Sequence, residues 1–272
     1  MAPAILTSAE ISLPATPDGL RVRERIAALS DVVDVVGLTD NHAGEARMSP
    51  LAAVALAREQ GVSTIVHASC RDRNRLALQS HVVGAAALGS EGVLCLHGDP
   101  VDGVERVRDL KATTLIAEAT GWLEGRATAV GAVVNPFADD LDRELRLLER
   151  KLDAGATFLQ TQMVFDLDAF AAFMDRAADL LTGIRLYAGV AMLRSARMAE
   201  RVRSLPGCWL GDEAFRRVGA GQGLQVATEV AAELAGIDGV DALHLFPLGA
   251  ETEIREIAIA YREARGAPAL RR

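Results

Sequence analysis

Eight short runs rich in Val, Ile, Leu and Ala recur along the chain, and a longer stretch of helical period follows each of them. This alternation constrains the fold more than any other feature, because strands separated by helical crossovers pair in parallel and need helices on their faces. The runs fall at 5–13, 32–38, 64–68, 93–96, 128–134, 158–162, 185–190 and 242–246. Eight strand–helix units in 272 residues fit a single-domain (β/α)8 TIM barrel spanning 1–272. A doubly wound open sheet is the alternative, since alternation alone does not decide closure. Aromatic residues are only 4% of the chain, so the core has to be aliphatic, which suits buried parallel strands under Ala/Leu-rich helices.

Local signals support the helices. Ser49-Pro50 places a capping residue before a proline at the first helical position, ahead of a run that ends at Gly61. Residues 140–154 alternate Leu with charged residues, and Asp142 and Arg146 stand four apart, as a surface pair would. Two helical stretches, 196–205 and 222–234, are expected between the seventh and eighth strands. The run Gly219-Ala220-Gly221-Gln222-Gly223 follows no strand and lacks the full dinucleotide fingerprint, so it reads as a loop.

A net charge of −8 argues against a nucleic-acid surface, without excluding a locally positive pocket. Cys70, Cys95 and Cys208 form no C-x-x-C pair and read as buried thiols of a reducing compartment. The first residues lack the basic start of a signal peptide, and no apolar run reaches membrane-spanning length. A cytoplasmic protein is the expectation, with oligomeric state open.

In a barrel of this kind the chemistry lies at the C-terminal ends of the strands. There the chain places Glu10 within the first apolar run, Thr39-Asp40-Asn41-His42 after the second, and His67 through Asp72 after the third. His97-Gly98-Asp99-Pro100 follows the fourth, Asn135-Pro136 the fifth, and Gln160-Thr161-Gln162 ends the sixth. A carboxylate in an apolar strand is costly to ionise, so Glu10 is expected to have a raised pKa suited to a general acid, unless it points outward or pairs with an arginine. Asp99 reads either as a ligand contact or as a helix N-cap, and Gln162 either as a partner for a flat heterocycle or as a brace for loop backbone. His67 and His97 sit in no recognised zinc spacing, so no metal is expected. The arginines of Arg71-Asp72-Arg73-Asn74-Arg75 suit phosphate, or else a self-paired helix start. Walker and G-x-S-x-G motifs are absent, which leaves kinase and hydrolase readings without support.

The words TSAEISLP, VGLTDN, IVHASCRDRNRLALQS, VLCLHGDP, VVNP and RKLDAGATFLQTQMVFD, in that order, resemble the methylenetetrahydrofolate reductase family. The resemblance covers about residues 6 to 175 well and the remainder more weakly. It implies a (β/α)8 barrel that reduces 5,10-methylenetetrahydrofolate to 5-methyltetrahydrofolate with hydride from NADH or NADPH. Glu10 matches the acid that protonates folate N10, and Asp99 the aspartate between flavin and folate. Gln162, with Gln160 beside it, matches the folate-contacting glutamine. Thr39, His67 and Lys151 match positions lining the FAD site of flavin-containing members, with His97 and Asn135 standing at neighbouring cofactor positions.

The departures fall on the cofactor side. The family's L-R-G-D reads Leu96-His97-Gly98-Asp99 here, and Asn135 stands in GAVVNP where members carry Y-P-E-x-H-P. After the seventh strand AGVAMLRSARM offers no stacking aromatic, with Ala196 or a neighbour in its place. FAD therefore stays open, since short members of the family work without flavin by direct hydride transfer. A folate-dependent methyl-transfer protein and a non-catalytic folate-binding subunit are alternatives on the same barrel.

Overall fold

The computed structural model describes residues 6–205 and 207–268. Its strands are β1 (Thr7–Ile11), β2 (Val35–Leu38), β3 (Thr64–Ser69), β4 (Gly92–Leu96), β5 (Ala129–Val134), β6 (Phe158–Met163), β7 (Arg185–Ala191) and β8 (Ala242–Phe246). Each pairs in parallel with its sequence neighbour, and β1 pairs with β8 through Ser8↔His244, closing the barrel. The open-sheet alternative is thereby set aside. Every expected run overlaps its strand, and β3, β4, β6 and β7 each extend one residue past the expected bounds. Ile5, at the start of the first run, lies outside the described residues. Val32 and Val33 belong to the turn after α1 instead of opening β2, because their amides donate to Leu29 O at 2.9 and 3.0 Å.

Ten helices wrap the described barrel: α1 (Gly19–Leu29), α2 (Pro50–Glu59), α3 (Arg75–Ala87), α4 (Ala112–Trp122), α5 (Leu141–Asp153), α6 (Leu167–Ala177), α7 (Ala196–Arg203), α8 (Asp212–Gly219), α9 (Gly223–Leu234) and α10 (Arg255–Ala264). Strand periodicity divides the apolar residues into two layers. Ala9, Ile11, Val36, Val66, Val93, Ala132, Leu159, Ala188 and Leu243 face outward into the main core beneath the helices. Val35, Ile65, Leu94, Phe158, Tyr187 and Ala242 point inward and plug the lower lumen, with Phe158 and Tyr187 edge to face at 5.9 Å. Gly131 makes room for that plug, since a Cβ there would overlap the Phe158 ring.

Three local expectations are corrected. Pro50 opens α2 as expected, but the Ser49 hydroxyl makes no capping bond. Asp142 pairs with Arg176 of α6 rather than with Arg146, so its partner comes from the next helix. Between β7 and β8 there are three helices rather than two, with α8 the addition. Its eight residues include one fully buried side chain, Val218, too thin an apolar signal to stand out in sequence. Together α7 and α8 form a cap on the barrel. Ala199, Val202, Leu210 and Val218 pack with Met163, Ala191, Leu193 and Phe246 at the C-terminal ends of β6, β7 and β8. Residues 220–222 form the turn from α8 into α9, with Gly221 at positive φ, while Gly219 ends α8 and Gly223 opens α9. No helix of the described residues is long and apolar enough to cross a membrane.

Candidate active site

One layer above the apolar plug, the lumen changes from apolar to ionisable. Glu10, Gly37, His67, Gln160, Gly189 and His244 occupy this layer, with Glu10 paired to Gly37 and Gly189 to His244 in strand register. Gly37 lies between Glu10 and His67. A Cβ there would sit 3.4 Å from Glu10 Cβ and 3.6 Å from His67 Nε2. On the other side of Glu10, His244 Nε2 stands 3.7 Å from Oε2, an ion-pair separation beyond hydrogen-bond reach. Its Nδ1 is 2.8 Å from Ser8 Oγ, and Phe246 packs edge-on against the ring at 4.7 Å. Among the described residues, neither His67 Nε2 nor His244 Nε2 has a hydrogen-bond partner, although both are buried.

This environment corrects the expected electrostatics of Glu10. Burial pushes its pKa up, as anticipated, but His244 beside it and the charges of His67 and His42 outweigh burial and leave the carboxyl below its ordinary value. His67 moves further. Burial is the main cause of its drop to about 4, against an opposing pull from Glu10, so its imidazole is neutral at physiological pH. His244 went unnoticed in sequence, although a lone histidine between Leu243 and Leu245 was as anomalous as a lone Glu10 between Ala9 and Ile11.

The rim is built from strand-end loops that satisfy one another. Thr39 Oγ1 donates to Ile11 O at 3.2 Å, tying β2 to β1. Asp40 is buried, accepts from Ser69 N at 3.1 Å and pairs with Arg73. Arg71 binds Asp72 and the carbonyl of Asn41, Arg75 binds Glu118, and Asn74 caps α3. Only Arg71 pairs within the run, while Arg73 and Arg75 find their carboxylates at Asp40 and Glu118, so the phosphate alternative loses its free guanidiniums. Gly98 takes φ +81°, and a Cβ there would clash with Ser69 Oγ and stand 2.6 Å from Arg71 Cβ, so the loop lies flat on the end of β3.

Beyond Gly98, His97 and Asp99 are exposed, and no helix begins until Ala112, so Asp99 caps no helix. The α7–α8 connection, which leaves the barrel after β7, reaches over the mouth to β4 and β5. A Cβ at Gly207 would overlap the Asn135 amide, and Cys208 lies within range of the Asp99 charge. Cys208 is accordingly half-buried at the mouth, unlike the buried Cys70 and Cys95. Burial first, and then Asp99, pushes its thiol up to about 11.

The structure therefore brings Glu10 and His67 together, and sets Asp99 near Asn135 through the α7–α8 connection. Gln160 is buried at the level of Glu10. Gln162 sits at a register shift, where its Oε1 accepts from Met163 N at 3.0 Å, so it does brace backbone. Lys151 lies behind β5, buried, donating to Val133 O at 2.7 Å beside Glu144. A cavity of about 470 Å³ opens beside Glu10 between the β1 and β8 loops, lined by Ser12, Arg25, Pro247 and Glu251. A larger hollow of about 700 Å³ lies at the opposite end near Phe158 and Arg185, away from all the expected site residues. The C-terminal mouth is the candidate site because the ionisable layer opens there.

Fold and site define a (β/α)8 barrel whose C-terminal pocket is equipped to hold and move a proton. The chain belongs to the methylenetetrahydrofolate reductase family, whose model matches residues 2–261. It is 24% identical over 215 residues to a probable methylenetetrahydrofolate reductase (NADPH) of Caenorhabditis elegans, covering 72% of this chain and 32% of that one. It is 24% identical over 143 residues to the 5,10-methylenetetrahydrofolate reductase of Salmonella typhimurium, covering 52% and 48%. The chain spans about a third of the length of the eukaryotic relatives it matches and about half of the bacterial one. Among solved structures, an uncharacterised Clostridium thermocellum protein that binds two copies of 5-methyl-5,6,7,8-tetrahydrofolic acid superposes with a TM-score of 0.68. That match covers 96% of each chain at 12% identity, and it supports the fold.

Proposed function

We propose that the protein reduces 5,10-methylenetetrahydrofolate to 5-methyltetrahydrofolate, taking hydride from NADH or NADPH. The observation that carries this reading is Glu10, the family's acid position, set in the barrel mouth between two imidazoles. The reaction needs a proton as well as a hydride. Methylenetetrahydrofolate, reduced nicotinamide and a proton give methyltetrahydrofolate and oxidised nicotinamide. Protonation at N10 lets its bond to the methylene carbon break with the electrons going to N10, while the N5 lone pair forms the iminium that accepts hydride.

The chain's residues take roles suited to those steps. Glu10 delivers the proton to N10. A folate covering the carboxylate strips its water and raises its proton affinity, shifting it toward the acid form that the step needs. In this reading Asp99, exposed on the rim, and the Gln160 amide contact the pterin edge, with Gln162 contributing only the NH2 that its bond to Met163 N leaves free. The apolar plug below and the α7–α8 cap above keep bulk water from the iminium.

The positions carried over for FAD do not fit that cofactor. Thr39 is spent on Ile11 O, Asn135 on Phe137 N, and Lys151 on Val133 O and Glu144, while His67 faces Glu10. Of the five, His97 alone is exposed, and none offers the free cation that a diphosphate seeks. The reduced nicotinamide therefore supplies hydride directly when bound. NADH absorbance of purified protein with methylenetetrahydrofolate and no added flavin tests the reading. Folate-dependent oxidation by protein free of flavin absorbance is expected. No oxidation with NADH or NADPH, with FAD added or withheld, would refute it.

A further inference from the structure

A carboxyl held below its ordinary range is ionised near neutral pH and has no proton to give. The donor must lie beside it, and the closure of the barrel puts one there. Ser8 and His244 are directly paired across the β1–β8 seam. The single hydroxyl proton of Ser8 has two neighbours, the Leu243 carbonyl at 3.3 Å and His244 Nδ1 at 2.8 Å. When that proton goes to the carbonyl, Oγ accepts from Nδ1–H, and Nε2 is left facing Glu10 Oε2 at 3.7 Å. Two arrangements satisfy this row, a neutral imidazole accepting from the Ser8 hydroxyl at Nδ1 and an imidazolium donating from Nδ1 to Ser8, and both present Nε2–H to the carboxylate. Nε2 has no other partner among the described residues, and a buried orphan nitrogen would be costly without that role.

We propose that His244, held in place by Ser8, is the proton store of Glu10, so that the pair retains one exchangeable proton in the free site and delivers it through Oε2 to the substrate. The proton passes from His244 Nε2 to Glu10 Oε2 as the folate covers the carboxylate. It then moves to N10 as the N10–methylene bond breaks toward N10. After hydride addition the pair is one proton short and regains it from water, matching the one proton consumed per turnover. The other ionisable groups around Glu10 are His67 from β3, with Asp40 near it, His42 from the turn after β2, and Arg21, Glu24 and Arg25 of α1 and Glu251 after β8, which line the adjoining cavity. His67 cannot be the store, because it is neutral at working pH. Phe246, edge-on to the imidazole, shields the exchange from the α7–α8 side. His244 is in this sense a positioning and relay residue that acts through Glu10.

The chemical outlet of the store rests on the reductase reading; the protonation of the pair does not. Two measurements separate them. In 15N-histidine spectra at neutral pH, both His244 nitrogens should carry protons in the wild type, and one should lose its proton in Glu10→Gln. A bare nitrogen in the wild type overturns the proposal whatever the enzyme does. In single-turnover reduction, His244→Gln should move the alkaline limb of the pH–rate profile down by about one pH unit or more, with folate affinity held within about threefold. Ser8→Ala should move it the same way by less, and serves as the second variant if His244→Gln does not fold. A uniform rate loss with the limb unmoved in the variant that folds would leave His244 a structural residue and overturn the proposal. Absence of wild-type turnover would refute the reductase reading alone, and the spectra would still decide the pair.

Discussion

Acid should loosen this barrel from its centre, and His67 is the group to test. Folded, its pKa is about 4 against an ordinary 6.5, because burial disfavours the imidazolium. Between those values the unfolded chain binds a proton that the folded one refuses, so stability rises with pH across the window. The contribution is complete above 6.5 and is lost as pH falls toward 4. At 1.36 kcal/mol per pH unit this comes to roughly 3 kcal/mol, a large part of the net stability of an ordinary domain. His81, whose pKa burial also lowers, acts in the same window, and Glu10 acts below its ordinary 4.5, so the wild-type slope alone does not isolate His67. The difference between wild type and His67→Gln does. In urea unfolding at about pH 7 and pH 4.5, the wild type should lose roughly 3 kcal/mol more than the variant. Any change Gln makes to absolute stability applies at both values, because it has no proton to gain. Parallel curves for the two proteins across this range would refute the reasoning and mean that water or a rotamer change solvates the His67 imidazolium.

Glu10→Gln should lower folate-dependent nicotinamide oxidation by about 100-fold or more, leaving the unfolding midpoint intact; normal turnover would remove Glu10 from the chemistry. Gly98→Ala adds a methyl group against Ser69 and Arg71 at φ +81°, and should cost about 1–3 kcal/mol in thermal unfolding. Arg73→Ala strands the Asp40 carboxylate, whose side chain is 0% exposed, and should cost about 3–5 kcal/mol. Adding Asp40→Asn should recover part of that loss, and a double variant no better than the single would contradict the pairing.

The barrel was legible because each strand carries its own evidence: a short aliphatic run, buried on both faces, followed by a helical stretch. Where evidence was equally local, as along 140–154, where α5 runs from Leu141 to Asp153, the reading was also sound. It failed where the partner comes from elsewhere. Asp142 turned to Arg176, and α8 exists because its faint apolar face finds Met163 and Phe246 at the strand ends. Glu10 shows the same limit at the site. An apolar strand is enough to say that a carboxylate there is unusual, but the direction of its shift depends on His244, which lies 234 positions away and reaches it only when β8 closes on β1. The residue placed to do chemistry is thus visible in its own strand, and what sets its protonation appears only in the closed barrel. Closure is therefore more than scaffolding here: a change that opened the β1–β8 seam would separate Glu10 from His244, and should alter the pH dependence of the reaction before it unfolds the chain.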